Sequence, residues 1–327
     1  MRGATKWRMP TSISRRALLT TATLWPLAAR AVPAVQTGGW TDPARKRAVP
    51  WLLRLPEGEG PCPWVIYSHG LGGSRDGGAR WSEAWAAGGI AVLHVQHAGS
   101  DIGILRAGLQ AARDAASAEQ LIARVSDVQF ALADVARRAV ADERPWTRLR
   151  RDAIGMAGHS FGAVTTQVLA GERFGNDRAV DEPRLRAFIA FSPSSPMDGR
   201  SVQQAFSGVT KPFMGVTGSD DGNPLTGSRR GDLRAAVYEG LPPGQRALLW
   251  LDGADHASCG GGRPPGLPAR ALQARGELAL QREPAHQALA ARLSALWWQA
   301  HLVGSEAARA ALRKVDDLGP GDRWRID

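Results

Sequence analysis

The sequence contains only two cysteines, Cys62 and Cys259, in 327 residues. A scaffold held together by disulfides is therefore excluded, because it needs several cysteine pairs in a short chain. Cys62 precedes the first strongly apolar segment and Cys259 follows the last one. We expect two independent thiols rather than a disulfide.

A basic cluster of the kind that binds nucleic acid is also missing from most of the chain, although the net charge is +10. Six of the 41 basic residues lie within 1–31, which has no acid: Arg2, Lys6, Arg8, Arg15, Arg16 and Arg30. The other 35 basic residues are spread along the chain against 31 acids, a net charge of about +4. Because neutralising phosphates requires clustered Lys or Arg, we expect no nucleic-acid partner.

The N-terminal region has no apolar run of the roughly 20 residues that a transmembrane helix needs. Its apolar stretch, 17–29, is shorter and contains several threonines. The stretch follows the arginine pair at 15–16 and ends in Ala-Arg-Ala at 29–31. This order of basic pair, short apolar segment and small-x-small site resembles a twin-arginine export signal.

We therefore predict that residues 1–34 are an export signal, cleaved after Ala31 or Ala34. The mature protein is expected to be periplasmic or secreted, without stable membrane insertion once the signal has been removed.

Beyond this segment, short runs rich in Val, Ile, Leu and Phe each end at Gly, Ser, Asp or His. They predict buried strands at 64–68, 90–96, 153–157, 187–191, 212–217 and 247–251. Segments with helical spacing lie between or after them, at 121–135, 160–170, 229–238 and 284–302. This alternation indicates an α/β fold with a mostly parallel sheet covered by helices on both faces. Residues 51–55 are expected to add an antiparallel edge strand.

No internal repeat and no second strand-helix series are present, so we predict one catalytic domain at 35–327. The Gly- and Pro-rich stretch 260–268 is expected to be the main irregular loop, and the sequence leaves open whether it acts as a lid. The polar residues after Gly304 are expected to form a peripheral helix and a tail.

The stretch 156–162, "MAGHSFG", carries a Gly-x-Ser-x-Gly pattern between a predicted strand and a predicted helix. This is the context of a nucleophile elbow, in which a sharp turn exposes the serine hydroxyl above the carboxyl end of the strand. The alternative is a glycine-rich loop in which Ser160 only caps the helix. We favour Ser160 as a nucleophile.

A serine nucleophile needs a histidine base, and in this type of fold the base follows the serine along the chain. Three histidines do so: His256, His286 and His301. His286 and His301 lie within the predicted C-terminal helix, where surface or packing roles are usual. His256 directly follows the last predicted strand and precedes a glycine run, so we predict that His256 is the base.

The carboxylate that orients the base is expected after the preceding strand, in "PFMGVTGSDDGNP". Asp221 is the preferred candidate and its neighbour Asp220 the second. Asp252 and Asp255 lie on the loop of the histidine itself, where an aspartate near glycine more often organises a turn.

Stabilising the developing oxyanion requires two backbone N–H donors. Phe161, directly after the nucleophile, is expected to supply one. Leu71, in the glycine-rich loop "YSHGLGGSRDG", is expected to supply the other. His69 in that loop is predicted to bond the loop itself, and His97 follows a nearby strand without a required role.

Several stretches together resemble a known group of bacterial α/β-hydrolases. In chain order they are "SHGLGGSRDG", "VLHVQHAGSD", "GHSFGAVTTQVLAG", "FSPSSP", "TGSDDGNP" and "DGADHASCGG". The group is the predicted dienelactone hydrolases, which are related to platelet-activating factor acetylhydrolase and, more distantly, to polyester hydrolases. The resemblance covers roughly 40–302.

The resemblance implies a Ser160, Asp221 and His256 triad with Leu71 and Phe161 as oxyanion donors. True dienelactone hydrolases use a cysteine nucleophile, whereas this elbow carries serine, so their substrate is not transferred.

The resulting prediction is a serine hydrolase that acts on small-molecule carboxylic esters and needs no metal or organic cofactor. One alternative is an exported peptidase or amidase with the same triad. A second is a non-catalytic binding protein with the same fold, which usually would have lost a triad member.

Overall fold

The computed structural model describes residues 34–106, 109–176, 178–196, 198–222, 231–262 and 275–327. The predicted export signal, apart from Ala34, lies outside the described residues. So do residues 263–268 of the predicted irregular loop 260–268.

The described strands form one nine-stranded sheet. They are β1 (Val35–Asp42), β2 (Arg47–Arg54), β3 (Cys62–Ser68), β4 (Ala91–Val95), β5 (Leu149–His159), β6 (Leu185–Phe191), β7 (Phe213–Asp220), β8 (Arg246–Asp255) and β9 (Arg323–Ile326). Their spatial order is β1-β2-β4-β3-β5-β6-β7-β8-β9. Strands β3 to β8 run parallel to one another, so their carboxyl ends share one edge of the sheet.

The helices lie between and after these strands. They are α1 (Ala79–Ala87), α2 (Gly103–Arg106), α3 (Leu109–Asp114), α4 (Ala118–Val140), α5 (Phe161–Leu169), α6 (Val202–Phe206), α7 (Asp232–Gly240), α8 (Glu277–Trp298) and α9 (Glu306–Arg313). Short 3₁₀ turns occur at Trp146–Arg148 and Ser258–Gly260, and α8 ends in a π-helical turn at Gln299–Val303. Within the described part of the chain, none of the helices combines the length and apolar character needed to cross a bilayer.

The central strands are apolar along their whole length because both faces of the sheet are covered. Successive side chains of a strand point to opposite faces. Ile66 and Met156 accordingly belong to one buried cluster, and Val65 and Ala157 belong to the other. Both predicted features, the six parallel strands and the helices on two faces, are confirmed.

The prediction of an edge strand at 51–55 is wrong in one respect. Residues 51–54 belong to β2, which is antiparallel as predicted, but β1 pairs with β2 along its whole length and forms the edge. Most residues of β1 are exposed, so it has no apolar run by which it could be recognised.

The C-terminal tail differs from the prediction too. After the expected peripheral helix α9, the tail adds β9 to the other edge, antiparallel to β8. The residues of β9 alternate exposed and half-buried, and this period of two is the signal that was overlooked.

Both cysteines are buried free thiols. Cys62 begins β3 at its amino end, whereas Cys259 lies in the turn beyond the carboxyl end of β8. The expectation of two independent thiols agrees with this arrangement.

Two fully buried histidines make the stability of this fold sensitive to acid. Burial lowers the pKa of His94 to about 3 and that of His97 to about 4. In the unfolded chain a histidine titrates near about 6.5. Between these values the unfolded state binds a proton that the folded state does not bind, so the free energy of unfolding falls as the pH falls.

We therefore expect each of these histidines to contribute a slope of about 1.4 kcal/mol per pH unit between about pH 6.5 and about pH 4. Urea unfolding at a series of pH values measures this slope. A His94→Leu variant should show a shallower slope by about one histidine's contribution. Equal slopes in both proteins would contradict the assignment of His94.

Candidate active site

Ser160 forms a strained turn between β5 and α5. Its backbone dihedrals are φ 55° and ψ −115°, a conformation that residues other than glycine rarely adopt. The N–H of Ser160 donates to the carbonyl oxygen of Phe191 at 2.9 Å, which ties the turn to the end of β6. The turn thus has the strand-turn-helix geometry of a nucleophile elbow.

Two glycines make this turn sterically possible. A Cβ atom added to Gly162 would overlap the carbonyl oxygen of Ser68, at the end of β3. A Cβ atom added to Gly158 would overlap the carbonyl oxygen of Gly162. Neither position can hold a side chain unless backbone moves. The Gly-x-Ser-x-Gly pattern is therefore required here by close backbone packing.

The structure brings Ser160, His256 and Asp221 together in one hydrogen-bonded line. His256 Nε2 lies 2.9 Å from Ser160 Oγ, and His256 Nδ1 lies 2.7 Å from Asp221 Oδ1. Each residue comes from the carboxyl end of a different strand: Ser160 follows β5, Asp221 follows β7, and His256 follows β8.

The environment of Asp221 favours its ionised form. The side chain is fully buried, which by itself would raise the pKa of the carboxyl group. The hydrogen bond from His256 and the positive charge of Arg234 outweigh burial, and they hold the pKa below its usual value. The hydroxyl of Thr217 also donates to Asp221, at 2.8 Å.

The ionised carboxylate determines the tautomer of the imidazole. A carboxylate can only accept hydrogen bonds, so Nδ1 of His256 carries the proton. In the neutral ring Nε2 is then free to accept a proton from the hydroxyl of Ser160. The arrangement can therefore remove the serine proton as the oxygen attacks an electrophile.

The other candidate acids make different contacts. Asp255 is bound by Arg275 at 2.6 Å and accepts a hydrogen bond from the N–H of Ser258, so it anchors the loop that carries His256. Asp252 pairs with Arg282 at 3.2 Å. Asp220 lies next to Asp221, but the described side-chain bonds of His256 reach only Asp221 and Ser160.

The other candidate histidines lie elsewhere. His286 is buried in α8, with Nε2 3.3 Å from the carboxylate of Asp322. The ring of His301 packs 4.1 Å from the ring of Trp297. Neither is joined to Ser160.

The loop after β3, which the sequence predicts to carry an oxyanion donor, packs directly against the Ser160 turn. A Cβ atom added to Gly70 would lie 3.3 Å from Cβ of Ser160. The N–H groups of Leu71 and Phe161 have no acceptor among the described residues. Two backbone donors without a partner among the described residues therefore lie within segments that border Ser160.

His159 is a site residue to which the sequence had assigned no role, although it stands inside the elbow pattern. Its Nε2 lies 3.0 Å from the carbonyl oxygen of His256, and the two rings are 4.7 Å apart. Burial, assisted by His256, lowers the pKa of His159 to about 3. The ring is therefore neutral at ordinary pH, and its N–H supports the loop that carries His256.

Arg234 was overlooked as well. Its guanidinium is nearly buried and lies 3.1 Å from the carboxylate of Asp221. It also donates to the carbonyl oxygens of Ser192 and Pro193, both at 3.0 Å. The ends of β6 and β7 are thus joined beneath Asp221. The contacts of Arg234 are visible only in the folded structure, because a single arginine in α7 belongs to no sequence motif.

No group of three or more metal-ligating side chains is arranged to hold a metal ion within the described ranges.

No model of a known protein family matches the chain, and no curated protein matches it either. Among solved structures, the crystal structure of 2,6-dihydroxy-pseudo-oxynicotine hydrolase is similar, with a TM-score of 0.53 and 18% sequence identity. The match covers 83% of this chain and 69% of that chain. At this identity the likeness establishes the fold. The chain has the α/β-hydrolase fold, as predicted, whereas the narrower resemblance to dienelactone hydrolases stays a prediction.

The packing of the elbow yields a stability test. We expect Gly162→Ala to destabilise the fold by about 1–3 kcal/mol, because the new methyl group must displace the end of β3. Gly60→Ala is the matched control, since a Cβ atom at Gly60 has no neighbour within 4 Å. Urea unfolding of both variants measures the difference. A Gly162→Ala protein as stable as the control would contradict the close packing described above.

Proposed function

We propose that this protein is a serine hydrolase that cleaves carboxylic esters through an acyl-serine intermediate. The observation that carries the proposal is the line from Ser160 Oγ through the ring of His256 to Asp221, at 2.9 and 2.7 Å. A serine, a histidine and a buried carboxylate in this order form the arrangement that activates a hydroxyl for acyl transfer.

In the acylation step, Oγ of Ser160 forms a bond to the carbonyl carbon of the ester while its proton moves to Nε2 of His256. The carbonyl oxygen becomes negatively charged and accepts hydrogen bonds from the N–H groups of Leu71 and Phe161. Asp221 stabilises the resulting imidazolium. When the tetrahedral intermediate collapses, the bond to the leaving alcohol breaks and the alcohol oxygen takes the proton from His256.

Deacylation repeats these steps with water as the nucleophile. His256 accepts a proton from water as the water oxygen attacks the acyl carbon, and it then returns the proton to Oγ of Ser160. The products are a carboxylic acid and an alcohol, and the chain's own residues supply every proton transfer.

Two further observations support hydrolytic chemistry. The similar solved structure is by name a hydrolase. The side chain of His256 is 19% exposed, so a small molecule in solvent can reach the histidine beside Ser160. The proposed substrate is a small-molecule ester. Comparing an ester with an amide of the same acyl group separates an esterase from an amidase or peptidase.

We expect Ser160→Ala to lower the hydrolysis of 4-nitrophenyl butyrate by at least about 10⁴-fold, because the acyl-enzyme can no longer form. Labelling by a fluorophosphonate probe should also be lost. Ser126→Ala is the matched control, since within the described part of the chain its hydroxyl donates only to the carbonyl oxygen of Ile122, in the same helix. Undiminished turnover in Ser160→Ala would remove Ser160 from the mechanism. A wild-type protein that the probe does not label would favour a binding protein.

The two adjacent aspartates provide a second test. Asp221→Asn should lower kcat by about 10⁴-fold, because an amide can donate to Nδ1 of His256 and hold the ring in the wrong tautomer. Asp220→Asn should leave kcat within about threefold, since Asp220 does not contact His256. Steady-state kinetics on the two purified variants measure both effects. The reverse ranking would make Asp220 the acid.

A further inference from the structure

Arg124 of α4 is a fully buried arginine whose hydrogen bonds go to neutral acceptors. Its guanidinium donates to the hydroxyl oxygens of Ser100 at 2.9 Å, Thr165 at 3.2 Å and Ser68 at 3.2 Å, and to the carbonyl oxygen of His69. Among the described residues, no carboxylate lies within ion-pair distance of it.

The nearby carboxylate on the same helix is already engaged. Asp127 pairs with Arg45 and Arg47, both at 2.8 Å, and with His97 at 3.1 Å. Burial lowers the pKa of Arg124 to about 9, so the side chain stays charged at neutral pH. Burying a charge with no carboxylate in direct contact is unfavourable. The four hydrogen bonds and the attraction of the more distant Asp127 and Asp101 offset that cost only in part. We therefore expect the buried charge of Arg124 to serve a function.

The groups around Arg124 belong to the two segments that carry the candidate oxyanion donors. The carbonyl group of His69 lies two residues before Leu71. The guanidinium carbon lies 4.6 Å from the centre of the Phe161 ring, and Thr165 lies one helical turn beyond Phe161. A single planar side chain thus joins the loop after β3 to the first turn of α5.

A cluster of three polar side chains, Ser68, His97 and Asp127, lies next to this junction. Ser68 Oγ lies 2.9 Å from His97 Nε2, and His97 Nδ1 lies 3.1 Å from Asp127. The order of atoms matches that of the Ser160 site, but all three residues are fully buried and no substrate can reach them. This cluster supports Arg124, which donates to Ser68. It also holds the ring of His69, whose Nε2 accepts a hydrogen bond from the N–H of His97 at 3.0 Å.

We propose that Arg124 is a positioning residue for the oxyanion pocket: it clamps the Leu71 loop to Phe161 and places a buried positive charge behind the developing oxyanion. This inference rests on the proposed esterase function. Fixed donors and fixed charges stabilise a transition state because they need no reorganisation during the reaction. Lysine keeps the charge but cannot reproduce the planar fork of donors.

The test compares Arg124→Met and Arg124→Lys with the wild-type enzyme. For 4-nitrophenyl butyrate we expect kcat to fall about 100-fold in Arg124→Met and about 10-fold in Arg124→Lys, with KM within about threefold. The inhibition constant of phenylboronic acid, whose tetrahedral adduct places an oxygen in the oxyanion pocket, should rise in parallel with the loss of kcat/KM.

Arg148→Met is the matched control. Arg148 is also buried, and it also donates to backbone carbonyl oxygens, those of Pro56 and Gly60, but it lies at the amino ends of the strands. This variant should lose thermal stability while kcat and boronate affinity stay within about twofold. If Arg124→Met behaves as Arg148→Met does, Arg124 is purely structural and the proposal is wrong.

Two further outcomes are informative. If Arg124→Met does not fold, Arg124→Lys decides, and wild-type kcat and boronate affinity in that variant would overturn the proposal. If the wild-type protein neither hydrolyses the ester nor reacts with a fluorophosphonate at Ser160, the esterase function itself fails and this inference fails with it.

Discussion

The backbone at the end of β3 contacts the backbone of the turn at Ser160. The positions of the other parts of the candidate site depend on that contact. The carbonyl oxygen of Ser68 occupies the space where a side chain of residue 162 would be. Backbone atoms cannot change rotamer as a side chain can. This contact therefore restricts the turn at Ser160 to one position relative to β3. The loop after β3, the strand next to β5, and the loop after β8, three strands away from β5, then approach the same hydroxyl group.

Two fully buried charges of opposite sign lie next to this turn. Asp221 contacts the ring of His256, and Arg124 contacts the segments of Leu71 and Phe161. In the proposed acylation step a positive charge develops on His256 and a negative charge on the substrate oxygen. Each of these two buried ions thus has the opposite sign to one of the two charges that would develop in the proposed step. In the proposed mechanism such an arrangement favours the charge-separated transition state.

The central strands and the edge strands of the sheet differ in how strongly the local sequence specifies them. Strands β3 to β8 are buried on both faces, so each appears as a continuous apolar run and is predicted correctly. The edge strands β1 and β9 are bound through their backbones, and their side chains are largely exposed. Backbone pairing leaves little trace in the side-chain composition of β1, which explains why β1 was missed. The alternation in β9 spans only four residues, and so β9 was assigned to a tail.

The sequence by itself determined the α/β fold, the strand-turn-helix context of Ser160 and the position of His256 after the last parallel strand, because these follow from periodicity over a few residues. Only the tertiary structure decided which of two adjacent aspartates contacts His256, and that Arg124 is buried against the loop after β3. Neighbouring residues share the same local pattern, and their side chains diverge only once the chain is folded. The contact between Ser160 and His256 joins residues 96 positions apart, a separation that no local pattern spans.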